Sequence, residues 1–106
     1  MEDKLLELAN ILKDHGYNAT CSISDEFDGF IEIKVDGTKI CDAYNYGYGV
    51  AQGTACYSLI RCDDKFSIIS IANHGDHTSI YLEMGNIDRL RKMVNNIMEK
   101  IDCQPT

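Results

Sequence analysis

The chain has 106 residues, 44% of them apolar, and a formal net charge of −7 from seventeen carboxylates against ten basic groups. This length suits a single globular domain over residues 1–106 with one modest core, and no segment approaches the ~18 consecutive apolar residues of a membrane-crossing helix. The lack of surplus Lys and Arg disfavours direct nucleic-acid binding, because there is little to displace phosphate counterions; it allows a partner that is itself basic, and solubility alone also accounts for it.

Met1-Glu2-Asp3-Lys4 is acidic and opens a helical pattern, so it does not resemble a signal peptide, and a cytoplasmic location is expected. Residues 3–15 carry Leu5, Leu8, Ala9 and Leu12 on one stripe, which predicts an amphipathic helix closed by Gly16. From Asn18 onward the period changes to two. Asn18–Ser24 predicts a strand, an acidic turn follows at Asp25-Glu26-Phe27-Asp28-Gly29, and Phe30–Val35 predicts the next strand. Asp36-Gly37 is a tight-hairpin signal, which makes Thr38–Tyr44 a returning strand. Thr54–Cys62, Lys65–Ala72 and His77–Glu83 follow as further strands, separated by turns at Asp63-Asp64 and Asn73–Asp76. The last element is a helix with Ile87, Leu90, Val94, Ile97, Met98 and Ile101 on one face and Asn86 as N-cap.

The expected fold is α+β: a five- or six-stranded antiparallel meander with an N-terminal and a C-terminal helix on one face. Cys21, Ile23, Ile31, Ile33, Val35, Ile69, Ile71, Ile80 and Leu82 form the expected core. Phe66 and Ile68 point the other way from Ile69 and Ile71. Either the second sheet face, assigned also Cys56, Ser58, Ser70, Ser79 and Tyr81, is covered by another part of the fold, or it is a partner-binding or homodimer surface. The five cysteines, an odd number without a Cys-x-x-Cys pair, read as reduced thiols.

Half of the six tyrosines lie in Ala43–Gly53, where Tyr44, Tyr46 and Tyr48 alternate with glycines. Tyrosine gives stiff amphipathic contact area and glycine gives a mouldable loop, so this stretch is the first candidate for a contact surface. The alternative is a strand whose tyrosines share one face and cap the sheet's edge. Charge is also uneven: residues 17–85 sum to −6, and the turns of an antiparallel sheet gather at its two rims. Asp25, Glu26, Asp28, Asp42, Asp63 and Asp64 are the candidate partner-binding carboxylates, with Asp36 and Asp76 also among the acidic residues of the sheet and its turns.

His74-Gly75-Asp76-His77 offers two imidazoles and a carboxylate to a metal, yet fewer ligands than a zinc site needs, and a polar turn accounts for the residues. No thiol is expected at a strand-to-helix elbow or a helix start, where a thiolate would be stabilised. The glycine spacing from Gly47 to Gly53 fits neither the dinucleotide fingerprint nor the P-loop, because a strand follows where those loops need a helix. No cofactor is expected. The leading expectation is a non-catalytic protein-binding module. The competing one is a small-ligand binder, for nucleotide or metal, or a small hydrolase using the glycine-rich loop over His74, Asp76 and His77. In size, charge and architecture the chain is similar to acidic viral inhibitors of nucleic-acid-processing complexes, the anti-CRISPR and anti-restriction proteins. It also resembles acidic dimeric secretion chaperones. The first resemblance implies carboxylates that occupy a basic groove on a nucleic-acid-binding protein.

Overall fold

A computed structural model describes residues 2–49 and 56–102. Helix α1 spans Glu2–Asp14 and buries Leu5, Leu8, Ala9 and Leu12, the stripe predicted by its spacing. Gly16, at φ +92°, ends it in the left-handed region that glycine adopts without steric cost. Strand β1 (Ala19–Ile23) and β2 (Phe30–Asp36) form an antiparallel hairpin. Within its turn the Ser24 hydroxyl accepts from the amides of Glu26 and Phe27, at 3.2 and 3.1 Å, so the acidic loop has an internal brace.

The chain then departs from the expected hairpin return. Lys39–Gly47 is a helix, α2, where a strand over Thr38–Tyr44 was predicted. Two physical reasons stand out. Ile40, Cys41, Tyr44 and Asn45 are buried, and the spacing i, i+1, i+4, i+5 puts them together on a helix and on opposite sides of a strand. In addition β2 lies between β1 and β5 and has no free edge for a returning strand. Asp36-Gly37 therefore ends β2 and lifts the chain out of the sheet; the Gly37 amide donates to the Asp76 carbonyl at 2.9 Å.

Strands β3 (Cys56–Cys62), β4 (Lys65–Asn73) and β5 (His77–Glu83) form a meander, and α3 (Ile87–Asp102) closes the chain. All neighbouring strands are antiparallel, in the order β1-β2-β5-β4-β3. The α+β class, the antiparallel sheet and its two terminal helices are as predicted. The sheet has five strands, and the continuous meander is broken by α2, which carries the chain from β2 in the interior to β3 at an edge. The Asn86 side chain accepts from the Asp88 amide at 2.8 Å, the expected cap of α3.

All three helices pack on one face. α1 lies on β1 and α3, α2 on α3 and β4, and α3 reaches β3. Ile31, Ile33, Val35, Ile69, Ile71, Ile80 and Leu82 are buried beneath them as expected, whereas Cys21 is half-buried and Ile23, on an edge strand, is exposed. Cys21, Cys41, Cys56 and Cys62 are thiols. No helix among the described residues is long and apolar enough to cross a membrane.

Candidate interaction surface

With every helix among the described residues on one side, the β3–β4 part of the other face is open, while its middle, at Ser70, Ser79 and Tyr81, is buried. The composition of the open part follows from register. A two-residue turn, Asp63-Asp64, sets Cys62 opposite Lys65, and from there Leu59 faces Ile68 and Tyr57 faces Ser70. Side chains alternate along a strand, so Tyr57, Leu59 and Arg61 join Phe66 and Ile68 on the open face. Tyr57 is 77% exposed, Leu59 68%, Phe66 63% and Ile68 44%. Four large apolar side chains thus occupy neighbouring register positions on two paired strands and line one stripe. Monomeric proteins rarely leave such a stripe bare without use.

Cys56 and Ser58, expected on this face, are on the core side instead, paired with Ile71 and Ile69. Their small size has a reason there: the fully buried Tyr44 ring reaches down from α2, and Ser58 is the polar neighbour of its phenol. Ser70, Ser79 and Tyr81 are on the face away from the helices as predicted, in the middle of the sheet. Tyr81 is itself covered by Phe27 of the β1–β2 turn, edge-on at 5.0 Å. Its hydroxyl donates to Glu26 at 3.3 Å, and burial, with Glu32 and Glu26 nearby, pushes its ionisation above the ordinary tyrosine range. Ser79 donates to Glu32 at 2.5 Å.

The platform beneath the stripe is held firmly. Arg89 of α3 donates to the Phe66 carbonyl at 2.9 Å, and the Cys62 thiol donates to the Arg89 carbonyl at 3.3 Å. Lys92 pairs with Asp63 at 2.7 Å, which raises the Lys92 ionisation. Arg61 lies over the Phe66 ring at 5.9 Å and pairs with Asp64 at 3.8 Å.

Antiparallel topology gathers the carboxylates as predicted from the turns. The loop with Asp25, Glu26 and Asp28, the Asp63-Asp64 turn and the end of β5 at Glu83 share one rim, while Asp36 and Asp76 lie at the opposite rim. Asp42 is elsewhere, in the first turn of α2.

The three tyrosines do not form one surface. Tyr44 is in the core, stacked on Tyr48 at 4.4 Å, and only Tyr46 projects outward, 57% exposed on the helical layer. Helical spacing separates positions that a strand would align. Lys100 is 5.9 Å from the Tyr48 ring. Val50, Ala51, Gln52 and Gly53 of the glycine-rich run, the first two residues of the expected strand Thr54–Cys62, and Cys103 lie outside the described residues.

His74 and His77 stack at 4.7 Å, and His77 Nδ1 meets the Asp76 carboxylate at 2.7 Å, which lowers the Asp76 ionisation. Among the described residues no three His, Cys, Asp or Glu side chains are grouped to hold a metal ion. A cleft of about 260 Å³ between α1, β2 and the start of α3 is lined by Lys4, Leu5, Ile31, Met84, Ile87 and Leu90, among others, with no acid–base pair in it. No family model, curated protein or solved structure matches this chain.

Proposed function

We propose that the protein is a non-catalytic protein-binding module and that the open face of β3 and β4 is its contact surface. The exposed stripe of Tyr57, Leu59, Phe66 and Ile68 carries this proposal. Aromatic and aliphatic side chains held on a rigid sheet bind with little entropy loss, and interface energy concentrates in such anchors. Asp25, Glu26 and Asp28 share the rim of the sheet at which the stripe ends and add a negative field there, while Asp63 and Asp64, at the end of the stripe, are paired with Lys92 and Arg61. The partner is therefore a basic protein with an apolar patch of its own. An inhibitor of a nucleic-acid-processing complex, of the anti-CRISPR or anti-restriction kind, has this chemistry: acidic groups seated where nucleic acid would bind, with apolar anchors to slow release.

Affinity capture from cells of the source organism tests this. Wild type should retain a basic protein that Tyr57→Ala/Phe66→Ala loses by about 30-fold or more, the scale of a 2 kcal/mol anchor. Tyr46→Ala, on the opposite layer, should retain it. Equal recovery by all three proteins, or none by wild type, would remove the open face from consideration. With the partner in hand, reversing Asp25, Glu26 and Asp28 to lysine should slow association more than it speeds dissociation, and added salt should weaken binding.

A further inference from the structure

The stripe reaches an edge of the sheet, and that edge has a second use. Among the described residues β3 pairs only with β4, and none of them pairs with its outer side. Sheets ordinarily protect such edges with proline, lysine, bulges or very short strands. Cys56–Cys62 has seven residues without proline or lysine, and its outward-facing side chains on the open face are Tyr57, Leu59 and Arg61. The other edge strand, β1, is shorter and presents Thr20 and Ser22 on that face.

Register states which backbone groups are available. The residues flanking a two-residue hairpin turn form a hydrogen-bonded pair, so the amide and carbonyl of Cys62 point to β4. Backbone direction alternates along the strand. Cys56, Ser58 and Ile60 therefore also point inward to β4, while Tyr57, Leu59 and Arg61 turn their amides and carbonyls outward.

We infer that two copies of this chain join antiparallel through β3, centred on Leu59, to make one continuous ten-stranded sheet. The register is self-complementary. Leu59 meets Leu59 of the second copy, and Tyr57 of each copy lies opposite Arg61 of the other, a cation on an aromatic face. All three outward amides on each strand find acceptors, about six bonds in total. A two-fold axis through Leu59 leaves both open faces on the same side of the sheet and joins two apolar stripes into one. The contact is small, so the dimer belongs in the micromolar range. It rests on the edge of β3 and not on the identity of a partner.

Sedimentation equilibrium with amide hydrogen exchange, on the intact chain from ~1 to ~200 μM, tests the inference. Wild type should approach twice 11.9 kDa at the upper concentrations. The amides of Tyr57, Leu59 and Arg61 should exchange about tenfold faster on dilution, while those of Ser58 and Ile60, held by β4, should not change. Leu59→Lys sets two like charges face to face and should be monomeric throughout with an unchanged circular dichroism spectrum. Phe66→Ser, on β4 and off the edge, should still dimerise even where it loses a captured partner, so the failure of one proposal is distinguishable from failure of the other. A monomeric wild type at ~200 μM overturns the inference. So does a dimer that survives Leu59→Lys, or one whose Tyr57, Leu59 and Arg61 amides stay fast at every concentration.

Discussion

Tyr44 and Tyr46 are two positions apart and have opposite surroundings: the first is stacked on Tyr48 in the core, the second projects from the helical layer. Replacing Tyr44 by alanine removes a fully buried ring and should cost about 3–5 kcal/mol in urea unfolding, as for other buried aromatics. Tyr46→Ala should stay within about 0.5 kcal/mol. Comparable losses at both sites would mean that α2 is not seated as described. In the sequence the alternation of tyrosine and glycine matched a strand or loop as well as a short helix. The deciding signal was Ile40 and Cys41, adjacent apolar residues that one face of a strand cannot bury together. By contrast the stripes of α1 and α3 were long enough to be unambiguous, and every residue named for the C-terminal helix lies on its inner face, with Ile87 half-buried at its start.

At the scale of elements, the turn Asp63-Asp64 positions the candidate surface. Asp63 has φ 59°, a left-handed conformation that a β-branched residue tolerates poorly. Asp63→Val should therefore lower stability by about 1–2 kcal/mol, whereas Asp63→Gly, which relieves the conformation but loses an exposed ion pair, should be nearly neutral. Equal effects would assign the cost to the lost pairing with Lys92. The same turn carried a signal for the open face that strand-by-strand alternation did not use. Once Cys62 is opposite Lys65, Ser58 must share the face of Ile69, which leaves Tyr57 and Leu59 with Phe66 and Ile68. Assigning β3 by its own weak alternation put Cys56 and Ser58 on the wrong face, because at that end of the strand the inner residues are smaller than the outer Tyr57 and Leu59, which inverts the usual pattern. At α3, Asn86→Ala should cost about 1 kcal/mol through loss of the cap.

Across the core, burial has a common electrostatic consequence. It pushes the Cys21 thiol from 9.0 to about 12 and raises the ionisation of Cys41, Cys56, Tyr44 and Tyr48 in the same direction. The folded chain thus holds these protons more tightly than the unfolded chain. Their contribution is complete below the ordinary thiol value and is lost as pH rises from 9.0 toward about 12. The urea midpoint should fall steadily above about pH 9, and Cys21→Ala should make the fall shallower. A midpoint that stays level to pH 11 would contradict the burial of these groups.

The break that α2 makes in the meander also bears on how the chain finds its fold. Strands β3, β4 and β5 are joined by short turns and form contacts between near neighbours in sequence. The sheet is completed only when β2 meets β5, where Glu32 and Ser79 are 47 residues apart. Closing so long a loop is entropically slow. The β3–β4–β5 meander with α3 should therefore organise in the transition state, while the β1–β2 hairpin docks after the barrier. Stopped-flow kinetics would read this as Ile71→Val slowing refolding and Ile33→Val mainly hastening unfolding. Until that docking occurs, the nascent chain carries an unpaired strand on both flanks of the meander, at β5 as well as at β3. Its period of greatest exposure to wrong pairing thus falls late in folding rather than at the start.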